Sequence, residues 1–511
     1  MGGYEVPVLT VLNDLLKDGA GTALTEITAE GSESWSYSKL KAEVERMQKS
    51  MVEAGLSNGD VVSLILVNSL EFVAVFLATT ALGAVVAPLN ATYTEEEFSF
   101  YLEDAGARVV VVTPSGFPEN AVRAAKGLGK PIWRVGRENS SVTFASDPEV
   151  PIASSDTTGS SPETTCLFLH TSGTTSRPKG VPLTHKNLCA SIMNICTVYE
   201  LAASDVTELV MPLFHVHGLM GCLLSTLASG GEVIIPTGGK FSASNFWPVA
   251  NARNMTWYTA VPTIHQILLA RYTDEQTIPN LRFIRSCSAS LAPAVLEDLE
   301  KKFGAKVLEA YAMTEASHMM TSNPLKGERR PGSVGVGGKN VEVGILSDDD
   351  ELVPVGAIGE VCVRGANVTK GYLNNPEANK VAYAGGWFHT GDQGMLSEDG
   401  YLTLTGRIKE LINRGGEKIS PLEVDAALLA HEAVAEAISF AAPDEKYGEE
   451  VNAAIVLKPG AEQPSQEAFK EFCAGRLATF KIPKKFFFDT SLPKTATGKI
   501  QRRFVAAHFL K

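Results

Sequence analysis

Apolar positions along the first 330 residues form short runs that alternate with longer amphipathic stretches. The runs are rich in β-branched residues and have the length of buried strands. We therefore expect strands at residues 61–67, 109–113, 165–170, 208–213, 231–236 and 281–286. Between them, apolar residues recur with helical spacing and predict helices at 37–54 and 184–199. This alternation favours a layered α/β core with a mostly parallel sheet.

Two later regions show other patterns. Residues 332–406 contain short strands separated by Gly, Asn and Asp turns, which predicts a small β-barrel-like subdomain. The C-terminal stretch has the pattern of a compact α+β domain, with elements predicted at 421–429, 433–440, 451–457 and 466–477. Residues 136–165 are rich in Ser, Thr, Pro and acids, which predicts a surface excursion. We divide the chain into a large N-terminal domain over 1–406 and a C-terminal domain over 407–511.

Composition and charge limit the classes of function. A chain of 511 residues with 44% hydrophobic residues is too long for one ordinary domain and apolar enough for a large core. The formal net charge of −13 argues against nucleic acid or an anionic membrane surface as the main partner. The seven cysteines are scattered and form no CxxC pair, which favours a reducing compartment and disfavours a disulfide framework or a zinc site.

The termini and one apolar segment bear on location. The N-terminus lacks the basic and apolar regions of a secretory signal, and the C-terminal Phe-Leu-Lys is not the peroxisomal Ser-Lys-Leu. Residues 72–89 carry no charge, but they contain Thr, Gly and Pro and end in a strand-like run. We expect a buried helix–strand unit there rather than a membrane span. A cytoplasmic protein is the expectation that follows.

The segment TSGTTSRPKG at residues 171–180 directly follows a predicted strand. Its small hydroxyl residues and glycine leave the backbone free to wrap an anion, and Lys179 adds an ammonium group. It is not a Walker A loop, because Pro178 precedes the lysine and Gly180 follows it. By itself the loop leaves two interpretations open, a phosphate site or a Ser/Thr-rich linker.

Four further segments carry candidate chemistry. YAMTE at residues 311–315 combines an aromatic face, a hydroxyl and a carboxylate, which suit adenine stacking, phosphate contact and Mg²⁺ ligation. Asp392, at a glycine turn, suits the hydroxyls of a ribose. Residues 406–421 place two glycines after an apolar strand, where they allow a tight turn. Lys499 lies in a loop of small residues. Each segment alone also fits a core tyrosine, an ordinary turn or a solvated lysine.

Together these segments closely resemble the motifs of the acyl-adenylate-forming ligases, which include acyl-CoA synthetases, luciferases and the adenylation domains of peptide synthetases. The motifs are, in chain order, TSGTTSRPKG, PLFHVHG, YAMTE, GWFHTGD, GRIKELINRGGEKISP and PKTATGKI. The match extends from about residue 40 to the C-terminus. Within the family, SASLAP and the ending KTATGKIQRRFVAAHF most resemble oxalate–CoA ligases of plants and fungi. The resemblance also implies that the small C-terminal domain is mobile.

The resemblance implies that the chain uses ATP. The loop residues would hold the β- and γ-phosphates, and Tyr311 would stack on adenine beside residues 288–289. Thr314 would contact the α-phosphate, whereas Asp392 and Arg407 would bind the ribose. The full set of implied nucleotide-binding residues is Thr171, Ser172, Gly173, Thr174, Thr175, Lys179, Ser288, Ala289, Tyr311, Thr314, Asp392 and Arg407.

The resemblance also implies a catalytic set and a second substrate, coenzyme A. Lys499 would bridge the acyl carboxylate and the α-phosphate, and Glu315 would help to hold Mg²⁺. Lys409 is the implied hinge, about which the small domain would rotate to bring a glycine pair to the pantetheine arm. The implied catalytic residues are Lys499, Thr314, Glu315 and His215, and the implied CoA-binding pair is Gly415 and Gly416.

The acid substrate is predicted from three positions. Ser290 stands where many relatives have proline, and the chain supplies His215 and His318 nearby in the motifs. Two imidazoles and a hydroxyl could hydrogen-bond a second carboxylate at the closed end of a small pocket. Alternatively, His215 is only a gate and His318 a core histidine. With the family resemblance, we predict a small dicarboxylate, oxalate first.

Two other functions remain open at this point. A medium-chain fatty acid or aryl acid CoA ligase would differ in the size of its pocket. A catalytically silent AMP-binding regulator is disfavoured by the presence of Lys499, which such a protein would not need. The expected partners are a small carboxylic acid, ATP with Mg²⁺, and coenzyme A, without nucleic acid.

Overall fold

The computed structural model describes residues 7–146, 159–171, 178–495 and 497–510. The strands are β1 (Thr22–Thr28), β2 (Gly31–Ser36), β3 (Val61–Leu64), β4 (Val85–Pro88), β5 (Val109–Val112), β6 (Ile132–Glu138), β7 (Ser141–Ser146), β8 (Thr165–His170), β9 (Gly180–Thr184), β10 (Val206–Glu208), β11 (Glu232–Ile235), β12 (Trp257–Ala260), β13 (Phe283–Cys287), β14 (Lys306–Met313), β15 (His318–Ser322), β16 (Val336–Gly337), β17 (Val341–Leu346), β18 (Gly359–Gly365), β19 (Phe388–Leu396), β20 (Leu402–Arg407), β21 (Ile412–Arg414), β22 (Glu417–Ile419), β23 (Val434–Asp444), β24 (Gly448–Leu457) and β25 (Lys485–Asp489).

Helices of three kinds connect the strands. The α-helices are α1 (Tyr37–Glu53), α2 (Leu70–Ala81), α3 (Glu95–Asp104), α4 (Glu119–Gly127), α5 (His185–Tyr199), α6 (Val216–Gly218), α7 (Ser225–Ser229), α8 (Phe246–Ala252), α9 (Pro262–Ala270), α10 (Pro293–Phe303), α11 (Pro376–Ala382), α12 (Pro421–Leu429), α13 (Gln466–Ala474) and α14 (Arg502–Phe509). A π-helix covers Leu219–Leu224, and short 3₁₀ turns cover Leu12–Leu15, Thr237–Gly239, Thr314–Ala316, Ala384–Gly386, Ile408–Glu410 and Thr479–Lys481.

A seven-stranded sheet carries the predicted phosphate loop. Its order is β7-β6-β5-β3-β4-β8-β9, with parallel pairs inside and an antiparallel pair at each edge. The inner strands β4 and β5 have buried residues on both faces. Parallel sheets are covered by helices on both sides, so their inner strands are apolar throughout. The chain leaves β8 at His170 and returns through β9 at Gly180, which are register partners. The described ends of the loop, Thr171 and Lys179, therefore lie at the carboxyl end of β8, as predicted.

A nine-stranded sheet forms the second layer, in the order β16-β15-β14-β13-β12-β10-β11-β1-β2. Its centre, from β14 to β1, is parallel. The predicted strand at 208–213 is wrong, because β10 ends at Glu208. Leu209 still donates to the Ile234 carbonyl of β11 at 2.8 Å, but the buried Met211 and Leu213 have no strand partner among the described residues. Asn68 replaces that partner, since its amide donates to the Met211 carbonyl at 3.1 Å and accepts from the Leu213 N–H at 2.8 Å.

The predicted β subdomain is a four-stranded antiparallel sheet in the order β17-β18-β19-β20. In the part of the chain that the structure describes, these strands form an open path rather than a closed barrel. The last two strands matter for the site, because their register places Asp392 opposite Arg407. The subdomain thus brings together two residues that are fifteen positions apart.

The C-terminal part forms its own sheet and its own apolar cluster. The sheet has the order β22-β21-β24-β23, and β25 adds to β24 in parallel. The predicted helix at 421–429 is confirmed, and it begins with Ser420 as an N-cap that accepts from the Glu423 N–H. Phe469 on α13 packs into the same cluster as Phe486 on β25. The α+β pattern of this region is therefore confirmed.

Two predictions about the surface have different outcomes. The segment at 72–89 is a buried helix–strand unit, α2 and β4, as expected. No α-helix within the described residues combines the length and the apolarity needed to cross a bilayer.

The prediction of a surface excursion at 136–165 is wrong in its first part, which forms β7. β7 pairs with β6 in antiparallel, and Phe144 packs edge-to-face on Trp133 with ring centroids 5.0 Å apart, which adds to that pairing. Residues 147–158 lie outside the described residues.

One pair of glycines tests how tightly the segment that leads into β16 packs against the end of β15. Gly335 and Gly332 both have a positive φ, of 79° and 82°. A Cβ on Gly335 would lie 1.9 Å from the backbone carbon of Ser322, whereas a Cβ on Gly332 would have no atom within 4 Å. Gly332→Ala should cost about 1 kcal/mol of unfolding free energy for the left-handed backbone. Gly335→Ala should cost about 1–3 kcal/mol more because of the overlap. Thermal unfolding midpoints of the two variants measure this, and equal midpoints would contradict the packing.

Candidate active site

Three predicted nucleotide-binding residues meet at the end of β14. Tyr311 is buried there, and its hydroxyl donates to the Asp392 carboxylate. Arg407 donates from Nε to the other carboxylate oxygen at 2.9 Å. Burial raises the pKa of Asp392, and the Arg407 charge opposes that rise. The structure therefore gathers an aromatic face and a paired carboxylate in one corner, where an adenosine could be held.

The phosphate side of the site joins the loop to the YAMTE segment. The Thr171 N–H donates to the Lys179 carbonyl at 3.0 Å, which closes the base of the loop. The Lys179 ammonium lies 4.5 Å from the ring centre of Tyr372, whose hydroxyl donates to Glu315 at 2.8 Å. The other predicted loop residues lie outside the described residues; they are Ser172, Gly173, Thr174 and Thr175.

Glu315 and Thr314 occupy one 3₁₀ turn directly after β14. Glu315 is buried, which raises its pKa, while the hydrogen bond from Tyr372 and the charge of Lys179 lower it. Thr314 is partly exposed beside it. A carboxylate is a hard oxygen ligand of the kind that Mg²⁺ uses together with substrate phosphates. The donor set at this turn therefore fits a Mg²⁺–phosphate group.

The C-terminal domain contributes Lys499 to the site. The loop that carries it contacts α9, where the Thr263 hydroxyl donates to the Gly498 carbonyl at 2.9 Å. Burial lowers the pKa of Lys499, and the nearby positive charge of Arg407 lowers it further. The charge of Lys499 in turn lowers the pKa of His215 and His318. Lys499 is thus electrostatically coupled to both the ribose side and the histidines.

A cluster of three histidines lies near Lys499. His215 caps the short helix α6 by accepting from the His217 N–H at 3.1 Å. The rings of His217 and His318 stack with centroids 5.3 Å apart. Burial lowers the pKa of His215 to about 3 and holds the pKa values of the other two well below their usual range. All three imidazoles are therefore neutral at neutral pH.

The loop after β13 meets this cluster. Ser288 has a positive φ of 76°, and its hydroxyl lies 3.0 Å from Nδ1 of His217. Ala289 and Ser290 follow as exposed residues. The structure therefore joins Ser288 to the histidines directly, whereas Ser290 lies at the surface of the loop.

The predicted hinge and CoA-binding residues lie apart from the predicted ATP site and the histidine cluster. Lys409 is exposed in the 3₁₀ turn between β20 and β21. Gly415 and Gly416 form the exposed turn between β21 and β22. The Gly415 N–H donates to the carbonyl of Tyr447, on the C-terminal domain itself, at 2.8 Å.

Sequence reasoning missed Arg285 and its neighbours. Arg285 is fully buried on β13, and it donates to the hydroxyls of Tyr199 at 2.7 Å and Thr259 at 3.1 Å. The only available signal was the presence of two arginines, Arg282 and Arg285, inside the apolar predicted strand at 281–286. Tyr372, which joins Lys179 to Glu315, was also missed, because no pattern in the sequence connects it to them.

Comparisons with known proteins match almost the whole chain. The AMP-binding enzyme family model matches residues 17–373, and the AMP-binding enzyme C-terminal domain model matches residues 423–499. The chain belongs to the AMP-binding enzyme family. The predicted resemblance to adenylate-forming ligases is therefore confirmed.

Individual members of the AMP-binding family are similar over nearly their full length. The oxalate–CoA ligase of Arabidopsis thaliana is 51% identical over 500 residues, covering 95% of each chain. The oxalate–CoA ligase of Saccharomyces cerevisiae is 45% identical over 479 residues, covering 88% of this chain and 87% of that one. The crystal structure of ATP-bound MatB from Rhodopseudomonas palustris superposes with a TM-score of 0.86 at 30% identity, covering 98% of both chains.

The lowered pKa of Lys499 predicts a pH dependence of adenylation. A lysine is charged below its pKa, so a step that needs the ammonium is lost as the pH rises through that pKa. We expect the rate of pyrophosphate release to have a basic limb below the ordinary lysine value of 10.5. Lys499→Arg should move this limb to higher pH, because a guanidinium remains charged. Rate profiles from neutral to alkaline pH measure the shift, and coincident limbs would exclude Lys499 as the titrating group.

Proposed function

We propose that this AMP-binding enzyme is an ATP-dependent oxalate–CoA ligase. In the first half-reaction, a carboxylate oxygen of oxalate attacks the α-phosphorus of ATP, and the bond to pyrophosphate breaks to leave oxalyl-AMP. In the second half-reaction, the thiol of coenzyme A loses its proton and attacks the carbonyl carbon that is bonded to the AMP oxygen in oxalyl-AMP. The bond to AMP breaks, and oxalyl-CoA is formed. The observations that carry the proposal are the joined Tyr311, Asp392 and Arg407 of the predicted ATP site and the buried His318, whose ring nitrogens have no hydrogen-bond partner among the described residues.

The first half-reaction brings two anions together, so fixed positive charge should dominate catalysis. Lys499 would contact both the attacking carboxylate and the α-phosphate, and Arg407 would hold the ribose with Asp392. Such preorganised cations stabilise charge where it develops in the transition state. The depressed pKa of Lys499 supports this role, because it reports an ammonium held in a site of low polarity beside another cation.

Glu315 and Lys179, which both contact Tyr372, would hold Mg²⁺ and the nucleotide phosphates. Glu315 would ligate the ion, and Tyr372 would fix the carboxylate through its 2.8 Å hydrogen bond. The ion, when bound, would neutralise charge on the departing pyrophosphate. Lys179 would contact the same phosphates from above the Tyr372 ring. Thr314 would contact the α-phosphate from the next position of the turn.

The acid pocket favours a second polar group on the substrate. His318 is completely buried, and neither of its ring nitrogens has a hydrogen-bond partner among the described residues. An unpaired buried imidazole costs free energy unless a ligand supplies the partner. His215 and Ser290 would line the mouth of the same pocket. The identities to two oxalate–CoA ligases support oxalate as the acid.

The second half-reaction requires Lys499 to leave, and the contacts around Lys409 support a hinge there. Arg407 pairs with Asp392 of the large domain, whereas Glu410 pairs with Arg502 of the C-terminal domain at 3.2 Å. Lys409 lies between these two anchors and is exposed. Rotation at this point would withdraw Lys499 and bring Gly415 and Gly416 to the pantetheine arm. A hinge at Lys409 would leave Arg407 with the large domain, so the two proposed domains, predicted as 1–406 and 407–511, would meet just after Arg407.

An acid panel tests the substrate. With ATP and coenzyme A present, pyrophosphate release should give the highest kcat/KM with oxalate. Malonate should be slower by about 10- to 200-fold, the usual discrimination for one methylene. Octanoate and 4-coumarate should be essentially inactive, because they carry no second carboxylate. A preference for octanoate or 4-coumarate would instead establish a fatty acid or aryl acid ligase, and inactivity with every acid would establish a silent nucleotide-binding protein.

Lys499→Ala tests the division of labour between the two half-reactions. We expect the variant to lose adenylation by about 100-fold or more, since the transition-state charge is no longer stabilised. Thioester formation from supplied oxalyl-AMP should remain near the wild-type rate. Rapid-quench measurements of the two half-reactions separate these effects.

Lys494→Ala is the matched control for this experiment. Lys494 lies in the same loop but pairs with Glu436 at 2.5 Å. Its removal should leave both half-reactions close to wild type. Equal loss of both half-reactions in Lys499→Ala would contradict the assigned role.

A further inference from the structure

Arg285 is a buried cation without an acidic partner. Its guanidinium is fully buried and contacts two neutral hydroxyls, those of Tyr199 and Thr259. Within the described ranges, no ion pair joins Arg285 to a carboxylate, its hydrogen bonds go to the two hydroxyls, and Nη2 has no hydrogen-bond partner. An unpaired buried charge is strongly unfavourable, and proteins retain one mainly where function uses it. The charge of Arg285 therefore needs an explanation.

The acidic residues of this region do not neutralise it. Glu208 is buried, and burial raises its pKa to about 8. It is therefore largely protonated at neutral pH, and its Oε2 has no hydrogen-bond partner among the residues that the structure describes. His217 and His318 are neutral as well, because burial and then nearby positive charge lower their pKa values. The cluster thus carries a net positive charge.

The hydrogen bonds around Arg285 run in one direction. A guanidinium can only donate, so Nη1 donates to the Thr259 hydroxyl at 3.1 Å. That hydroxyl lies 2.7 Å from Nε2 of His217, its remaining partner, and its own proton is satisfied by donating there. His217 must then carry its proton on Nδ1 and donate to the Ser288 hydroxyl at 3.0 Å. The proton of Ser288 is left to donate outward.

The glycine of the π-helix allows this arrangement. A Cβ on Gly221 would lie 2.6 Å from Nε2 of His318 and 3.2 Å from Nη1 of Arg285. Both groups therefore approach the helix backbone more closely than any side chain at this position would permit. The π-helix, a local distortion that often marks functional sites, brings that glycine to the cluster.

From these observations we infer that Arg285 is the residue that selects a dianionic acid. Its charge, relayed through Thr259 and His217 to Ser288 and acting directly on His318, makes this end of the acid pocket receptive to a second carboxylate. Charge-assisted and polarised hydrogen bonds are stronger than neutral ones, particularly where water is excluded. The inference rests on the proposed acid-activating function, but it concerns the charge of the acid rather than its chain length.

Arg285→Met tests the inference with two acids of the same size. Oxalate carries two carboxylates and glyoxylate carries one on the same two-carbon skeleton. We expect the kcat/KM ratio of oxalate to glyoxylate to fall by about 100-fold or more, the usual result of removing a buried charged partner. If Arg285 had only a structural role, its loss would lower kcat/KM equally for both acids and leave the ratio unchanged. A ratio within about threefold of wild type would overturn the inference.

Arg282→Met is the matched control. Arg282 lies three positions earlier, but its guanidinium pairs with Asp205 at 2.5 Å and contacts the carbonyls of Tyr199 and Glu200. This variant should lose some stability and keep the wild-type ratio. A similar fall in the ratio would show that the effect is not specific to Arg285.

Thr259→Val provides a second test if Arg285→Met does not fold. Valine has nearly the shape of threonine, and it interrupts the relay while leaving Arg285 in place. The ratio should fall in this variant too, and an unchanged ratio would overturn the relay. Measurements of both acids with the wild-type enzyme distinguish failure of the proposed function from failure of the charge selection by Arg285. Activity on neither acid would overturn the proposed function, whereas activity on both with a ratio near one would overturn only the charge selection.

Discussion

The ion pair between Asp392 and Arg407 is the interaction on which the rest of the site depends. It crosses the last two strands of the β subdomain, and the hydrogen bond from Tyr311 ties it to the nine-stranded sheet. Arg407 is also the last residue of β20, two positions before the exposed Lys409. This pair therefore ties the β subdomain to the large sheet, next to the predicted adenine-stacking residue Tyr311 and close in sequence to the predicted hinge.

Charge is distributed unevenly around this pair. Lys499, Arg407 and Arg285 supply fixed cations, whereas burial keeps the nearby histidines neutral. The cations thus concentrate positive potential where a carboxylate and a triphosphate would meet, although the whole chain has a formal net charge of −13. This contrast explains why bulk charge says little about the ligands of an enclosed site.

The contact between the two proposed domains is suited to being broken and remade. Polar contacts include the bond from Thr263 to the Gly498 carbonyl and the bond from Gln266 to the Ala435 carbonyl at 3.1 Å. Each is an ordinary hydrogen bond that water can replace at little net cost. The apolar cluster of the C-terminal domain, by contrast, is internal to it. A rotation would therefore leave that core intact.

Local sequence patterns and motifs are enough to predict many elements of this fold and the family to which the chain belongs. The strand Thr165–His170 and the helix Pro421–Leu429 follow from apolar periodicity and from Ser420 as a cap, because both depend on neighbours in the chain. Family membership follows from ordered motifs. Only the tertiary structure shows that residues 209–213 are a buried loop held by Asn68, and that Arg285 stands unpaired beside His318. Those features arise from contacts between distant segments, and no spacing along the chain encodes them.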